Sequence, residues 1–331
     1  MKGANKVLAI CQSASEQELL FRASTPARRI HSRIDASGYR GRLMGLSVEL
    51  GDLGRQAIGV INVLERATQA FDTPFLIDCV REELNGYSAS ALYSPTARVL
   101  AAGPFTGLIL HEDERMRLTL MSLSPVGHKL KRHRVSVSGG QGVTIPGSDS
   151  VVRFLKADGA VLRIWEVEPF MGDQALGQRV LPDCRRQTVK SGDVVRLVGA
   201  RHGMSVEHTR GPIVFIMATC LMSRSSVNAH YDESSGSLHS FTAADMASSR
   251  VQLLATMLRE VGQAGFESLV SQLNHGDHFV RWHVMREMIA MDAERATPFL
   301  LNIAREDPHP QVRDAAGKVS DMMSEGALCR A

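Results

Sequence analysis

The feature that most constrains the fold is a series of short segments rich in β-forming residues in the middle of the chain. Nine such segments follow one another: 97–102, 107–111, 116–123, 134–137, 151–155, 160–167, 194–198, 204–207 and 213–217. Turn-forming sequences such as Ala157-Asp158-Gly159 separate several of them. Many short strands with turns between them are typical of a β-sandwich or a β-barrel. We therefore predict an all-β unit over residues 91–222.

Residues 1–90, which precede this unit, carry a helical pattern. Apolar residues at helical spacing predict an amphipathic helix over residues 52–71. Pro74 favours the start of a further helix and Gly86 favours its end. We therefore expect a helical region before the strands.

The segment after the strands, residues 223–241, is rich in Ser, Asn and His and is interpreted as a connector. Residues 242–331 are then predicted to be helical, starting from a capping-box-like Thr242. Leu254, Met257, Leu258 and Val261 should form one apolar stripe on the first of these helices.

A weak internal repeat occupies the tail of the chain. Val280-Arg281 recurs as Val312-Arg313, and Leu269 and Leu301 precede the two copies at equivalent distances. Over about residues 264–324 the pattern resembles HEAT repeats, in which each helix pair buries its apolar face against the next pair. The resemblance implies buried valines, arginines that hold the turns together, and a surface on which a protein partner could dock.

Composition limits the classes of function. The 331 residues carry a net charge of +3, which is too small to indicate a nucleic-acid partner by itself. The five cysteines are scattered and form no CxxC pair, which favours reduced thiols in a cytoplasmic protein. No apolar run approaches the roughly 18 residues that span a membrane. We expect a cytoplasmic protein without a membrane partner.

Two glycine-framed segments lie within the β-unit. In the first, Gly127 and Gly147 bracket His133, Val135 and Gly140. In the second, an apolar strand after Gly192-Asp193 leads to Gly199 and then to His202. Residues two apart on a strand point to the same side, so His133, Val135 and Val137 should share one face.

Over about residues 95–222 these segments resemble the two motifs of the cupin family. The resemblance implies a cupin-like β-barrel with His133 and His202 at positions of metal ligands. His128 is a possible third donor, but it lies five residues before His133, so on a regular strand it would lie on the opposite face. Val135 stands where the family's second histidine is expected, and Gly140 stands where its glutamate is expected. Because transition-metal sites usually have three protein ligands, this set disfavours a divalent transition metal as the cofactor, and we expect the β-barrel to fold without one.

Three other groups of polar residues are candidate sites. Glu166 and Glu168 share a strand face and could do acid–base chemistry if buried, although such a pair more often lies at an exposed strand end. The sequence from His111 to Glu114 could bind a metal through oxygen atoms, but a polar hairpin tip is the simpler interpretation. The basic stretch from His128 to Arg134 could meet phosphates, yet no aromatic residues are interleaved to stack on bases.

The predicted fold class is therefore a multidomain α+β protein, with a cupin-like barrel flanked by N-terminal helices and a HEAT-like helical segment. The favoured function is a binding or scaffold protein, in which the barrel holds a small ligand or serves as a rigid core and the C-terminal helices dock a protein. The alternative is a metal-dependent cupin-type enzyme with an atypical ligand set, whose catalytic residues the sequence does not identify. A weaker alternative is a regulator associated with nucleic acid.

Overall fold

The computed structural model describes residues 38–54, 56–89, 98–102, 104–130, 142–170 and 180–328. Within these ranges three helices precede the strands: α1 (Tyr39–Leu53), α2 (Ala57–Thr68) and α3 (Thr73–Ala89). Twelve strands follow: β1 (Arg98–Ala102), β2 (Phe105–Glu112), β3 (Met116–Leu123), β4 (Gly142–Ile145), β5 (Ser150–Lys156), β6 (Ala160–Glu166), β7 (Arg185–Val189), β8 (Val194–Leu197), β9 (His202–His208), β10 (Ile213–Cys220), β11 (Val227–Asp232) and β12 (Leu238–Ala243). The C-terminal helices are α4 (Met246–Val261), α5 (Phe266–Val270), α6 (His278–Met291), α7 (Ala293–Glu306) and α8 (Pro310–Leu328).

The strands form three antiparallel sheets. The large sheet has the order β1-β2-β3-β10-β5-β8, and the two smaller sheets have the orders β7-β6-β9 and β12-β11-β4. Eight of the nine predicted segments fall on these strands, and the ninth, 134–137, lies outside the described residues. The mixture of helix and sheet that the sequence predicts is therefore confirmed.

Alternate residues of β6 show how the sheets pack. Leu162 and Ile164 belong to an apolar cluster shared with the large sheet, which supplies Phe154 and Phe215. Trp165, on the opposite face of β6, packs instead with residues of β4 and β11. The β7-β6-β9 sheet thus lies between the other two, and we call the whole arrangement the β-sandwich.

The N-terminal helices cover the outer face of the large sheet. Leu64 of α2 is buried in the same cluster as Leu118 and Ile216 of the sheet. The single helix predicted over 52–71 is wrong: α1 ends at Leu53 and α2 begins at Ala57. Gly54 between them has φ 56° and ψ −120°, a non-helical conformation that interrupts the helix and that glycine adopts without a side-chain clash.

The connector predicted over 223–241 is also wrong, because it contains β11 and most of β12. Val227, Ala229 and Tyr231 alternate with polar residues and are buried, which is the pattern of a half-buried strand. Thr242 lies on β12, and α4 is capped by Asp245, whose side chain accepts a hydrogen bond from the backbone N–H of Ser248. The helical segment is therefore joined to the β-sandwich through an intact hairpin.

The C-terminal helices share one apolar core. Val280 of α6 and Val312 of α8 are both buried in it, as predicted, and Trp282 packs partly buried against it. Leu269 is buried, but its proposed equivalent Leu301 is exposed, so the predicted pairing of these two leucines is wrong. Leu300, one residue earlier on α7, faces the core in its place. Among the helices of the described ranges, none has both the length and the apolar character that crossing a bilayer requires.

Candidate functional site

The two glycine-framed segments meet at one end of the β-sandwich. A Cβ atom on Gly199 would lie 2.5 Å from the carbonyl oxygen of Gly147, and a Cβ on Gly147 would lie 2.5 Å from the carbonyl oxygen of Ser225. The backbone N–H of Ala200 donates to the carbonyl of Pro146 at 2.7 Å. The two glycines therefore allow two turns to pack backbone to backbone, a role that requires no metal.

A buried ion pair fixes the same two turns. The Asp149 carboxylate accepts hydrogen bonds from the backbone N–H of Gly199 at 2.8 Å and from Nε of Arg224 at 2.6 Å. Asp149 is almost completely inaccessible to solvent. This pair could not be predicted from the sequence, because its two members lie 75 positions apart and belong to no recognisable motif.

His202 begins β9 on the face that also carries Met204 and Val206, which pack against the core shared with the large sheet. Its Nδ1 accepts a hydrogen bond from the backbone N–H of Val198 at 3.0 Å, which leaves the proton of the neutral ring on Nε2. Nε2 lies 3.8 Å from a carboxylate oxygen of Glu166. Burial lowers the pKa of His202 from its ordinary value, against an opposing effect of Glu166. The geometry therefore favours a neutral imidazole.

His128 lies at the opposite end of the β-sandwich from His202. It follows the end of β3 at Leu123, which is paired with Ile213 at the start of β10. A short turn joins residue 208 of β9 to residue 213 of β10, so residue 208 lies at the same end of the β-sandwich as His128. His202 lies six positions before residue 208, which places it about 20 Å away along the strand. Residues 125–130 are helical, so the strand face assumed for His128 was wrong.

Of the two histidines at the cupin-like motif positions, His202 is among the described residues. His133, Val135 and Gly140 lie outside the described residues, so the predicted convergence of His133 and His202 is not tested. Among the described residues, no three His, Cys, Asp or Glu side chains are grouped so that they could hold a metal ion. Because Nδ1 of His202 accepts a backbone hydrogen bond and the proton of the neutral ring is then on Nε2, this tautomer presents no free nitrogen lone pair to a metal. The described donors alone do not fit a cupin-type site.

The other predicted polar candidates are structural. Glu166 and Glu168 are both exposed, and Glu166 forms an ion pair with Arg201. The two glutamates therefore do not form a buried acid–base site. His111 and Asp113 lie in the hairpin between β2 and β3, where Asp113 accepts backbone hydrogen bonds from the turn. This confirms the polar hairpin.

A groove of about 370 Å³ lies between the β11–β12 hairpin and the helices α4 and α6, and we call it the hairpin groove. Its lining consists of Val227, Phe241, Thr242, Ala243, Gln252, Leu253, Thr256, Phe279 and His283. The groove is absent from the sequence-based expectations, because the segment of the hairpin was expected to be a connector. The alternation of apolar and polar residues from Val227 to Asp232 is the signal that could have revealed it.

Three polar side chains form a network beside the hairpin groove. The Thr256 hydroxyl lies 3.2 Å from Nε2 of His283, and a Glu287 carboxylate oxygen lies 3.5 Å from the same nitrogen. A nucleophile–base relay needs the two partners on different ring nitrogens, so this arrangement does not activate Thr256. The groove therefore offers an apolar surface with a few hydrogen-bonding groups, which is suited to binding.

One face of α4 is apolar and exposed. Its five large apolar side chains are each between 54% and 71% exposed: Met246, Leu253, Leu254, Met257 and Val261. The stripe predicted on this helix is thus divided, since Leu258 packs against the helical core while the other three members face solvent. Leu253 also lines the hairpin groove, so the exposed apolar surface continues from the helix into the groove.

The two predicted turn arginines make equivalent contacts. Arg281 donates from Nη1 to the carbonyl of His275, and Arg313 donates from Nη1 to the carbonyl of Asp307, six residues earlier in both cases. Arg281 also makes a two-pronged, buried ion pair with Asp307, at 2.8 and 2.7 Å. Burial acts to raise the pKa of Asp307, but the hydrogen bonds from Arg281 hold it below its ordinary value.

No protein-family model and no curated protein matches this chain. Similar solved structures include an RmlC-like cupin from Shewanella frigidimarina, which is 7% identical over 38% of this chain and 83% of that one, with a TM-score of 0.23. A cupin domain from Bordetella pertussis is 10% identical over 37% of this chain and 97% of that one, with a TM-score of 0.23. The polyketide cyclase RemF from Streptomyces resistomycificus is 14% identical over 38% of this chain and 73% of that one, also with a TM-score of 0.23. The similar structures thus include cupin proteins, each matched over part of this chain.

Proposed function

We propose that this protein is a binding or scaffold protein whose C-terminal helices dock a protein partner and whose β-sandwich is a rigid core. The observation that carries the proposal is the exposed apolar face of α4. Monomeric proteins rarely expose large contiguous apolar patches, and those that exist often mark interaction sites. The hairpin groove beside this face would accept an apolar side chain of the partner.

The packing of the β-sandwich supports the role of a rigid core. Phe154 and Leu162 are buried where the large sheet meets β6, and Tyr231 is buried on the other side of β6. Residues so deeply packed leave little freedom for the sheets to move relative to one another. A small ligand inside the sandwich remains an alternative form of the same binding function.

We also propose that the β-sandwich is cupin-like and that α5 to α8 are HEAT-like. The close approach of Gly147 and Gly199 supports the cupin-like β-sandwich, because each glycine belongs to one of the two glycine-framed segments and their contact brings the two segments together. The equivalent hydrogen bonds of Arg281 and Arg313, which lie 32 positions apart, support the HEAT-like helices.

A photo-crosslinking amino acid at position 254 would test the docking function in cells that naturally make the protein. We expect one discrete adduct, because the Leu254 side chain lies on the exposed apolar face of α4. Leu301 is the matched control, since it is also an exposed leucine of the C-terminal helices but lies on α7. Absence of an adduct at position 254, or the same adducts at both positions, would contradict docking through α4.

The runner-up is a metal-dependent cupin-type enzyme. The observation that favours it is the position of His202 on the core-facing side of β9. Two imidazoles, His202 and His133, would still need a further ligand for firm metal binding. Measurement of the metal content separates the two functions.

A further inference from the structure

The exposed face of α4 has the spacing of a coiled-coil seam. Met246, Arg250, Leu253, Met257 and Glu260 are all exposed and succeed one another at intervals of four, three, four and three residues. This is the heptad spacing that lets one helix pack along another. The opposite face of α4 is occupied, because Ser248 and Ala255 are buried against the rest of the protein. We call these five exposed positions the α4 seam.

The charges of the α4 seam are arranged symmetrically. Arg250 and Glu260 each lie five positions from residue 255, on opposite sides of it. Leu253 and Met257 each lie two positions from residue 255. The seam is therefore complementary to itself when a second α4 runs antiparallel and the two helices meet at the level of residue 255, on the face opposite its side chain.

We propose that the occupant of the α4 seam is a second copy of this chain, bound through antiparallel pairing of the two α4 helices about a two-fold axis. The proposal rests on the docking function proposed above and names its partner. In this pairing Leu253 meets Met257 of the other copy twice, and Arg250 meets Glu260 of the other copy twice. A two-fold axis produces such duplicated contacts by necessity.

A parallel arrangement is disfavoured by the same charges. It would place Arg250 against Arg250 and Glu260 against Glu260, and like charges at such positions destabilise helix pairs. The seam thus specifies the direction of the partner helix as well as its identity.

Glu260 is available for the contact. Its side chain is 71% exposed and pairs with the neighbouring Arg259 at 2.7 Å. Arg259 also pairs with the buried Glu287 at 2.9 Å, so it would keep a carboxylate partner if Glu260 turned towards a second copy. Arg250 is exposed and forms no ion pair with the other residues that the structure describes.

The expected dimer is concentration-dependent. Pairing of two 16-residue helices alone covers less surface than the roughly 1,200–2,000 Å² buried in a stable interface. The hairpin groove extends the apolar surface beyond Leu253 and would enlarge the contact. We therefore expect reversible association.

The test is the mass of the purified full-length chain in solution, measured by sedimentation over a range of concentrations. We expect a transition from 36.1 kDa to twice that mass. Arg250→Glu and Glu260→Arg should each weaken the dimer by about tenfold, because each creates two like-charge contacts. The double variant, Arg250→Glu with Glu260→Arg, should restore association because the opposite charges meet again. Leu301→Arg, on an exposed position of α7, should leave the dimer unchanged.

Three results would overturn the proposal: a monomer at every concentration, a dimer that persists in Met257→Arg, or a double variant that associates no better than the single ones. All these positions are exposed, so the variants should melt like the wild type, and this is checked by circular dichroism. A monomeric protein that still forms a discrete adduct from position 254 with a different protein would refute self-association and leave the docking function standing. Loss of the adduct as well would refute both.

Discussion

At the scale of single residues, steric fit explains why particular glycines stand in the two motif-like segments. Gly199 approaches the backbone of Gly147 so closely that no side chain can be accommodated. The same turns are held by the buried carboxylate of Asp149. The spacing of these glycines was visible in the sequence, whereas their contact with one another depends on how two distant turns meet.

Gly199→Ala should lower the free energy of unfolding by about 1–3 kcal/mol, because the new methyl group would overlap a carbonyl oxygen that cannot easily move. Gly317→Ala is the control, since its Cβ would meet no atom within 4 Å on helix α8. That substitution should raise stability by about 0.5–1 kcal/mol. Urea denaturation measures both, and an equal effect of the two substitutions would contradict the close contact.

His202 should make folding sensitive to acid. Burial lowers its pKa in the folded state, so the unfolded chain binds the proton more readily. The stability that the neutral ring contributes is therefore present above the ordinary histidine pKa of about 6.5 and is lost as the pH falls below it. His202→Gln does not titrate and should reduce the loss of stability between pH 7.5 and pH 5.5. An unchanged pH dependence of the urea midpoint would show that His202 is not responsible.

At the scale of secondary-structure elements, the β-formers of the sequence predicted most strands well. Segments such as 151–155 and 160–167 combine β-branched residues with turn signals, and they fold as β5 and β6. β7 was missed because its residues, Arg185 to Val189, are largely polar at the edge of a sheet and show no apolar alternation. The break between α1 and α2 was missed because the helical spacing of apolar residues continues across Gly54. The exposed face of α4 could not be predicted either, since an apolar stripe does not reveal whether the fold covers it.

Val280→Asp should destabilise the C-terminal helices by several kcal/mol. The side chain is fully buried among the helices, where a new carboxylate would have no partner. We expect a lower thermal midpoint and a less cooperative transition, measured by circular dichroism at 222 nm. Leu301→Asp, at an exposed position of α7, is the control and should melt like the wild type. A wild-type midpoint for Val280→Asp would refute the shared core.

Asp307→Ala should cost about 3–5 kcal/mol, because it leaves the Arg281 guanidinium buried without its charge partner. Asp314→Ala breaks an exposed ion pair between Asp314 and Lys318, which both lie on α8, and should cost about 1 kcal/mol or less. Chemical denaturation of the two variants compares a buried with an exposed ion pair in the same helical segment. Equal costs would show that Arg281 and Asp307 do not anchor the turn.

At the scale of the whole molecule, the β-sandwich is covered on both sides. Helices α1 to α3 lie on the outer face of the large sheet, and α4 contacts β12, a strand of the small sheet β12-β11-β4. Five exposed apolar side chains share one face of α4, which lies far along the chain from the candidate histidines His128, His133 and His202. The central claim is that the β-sandwich acts as a structural core and that binding takes place at the helices.

The metal content of the purified full-length chain tests this claim most directly. Elemental analysis should find far less than one equivalent of iron, zinc, nickel or manganese, and a chelator should leave the melting temperature unchanged, because the apolar clusters hold the sheets together. A near-stoichiometric transition metal, together with a large loss of melting temperature on chelation, would contradict the claim and favour a metal-dependent enzyme.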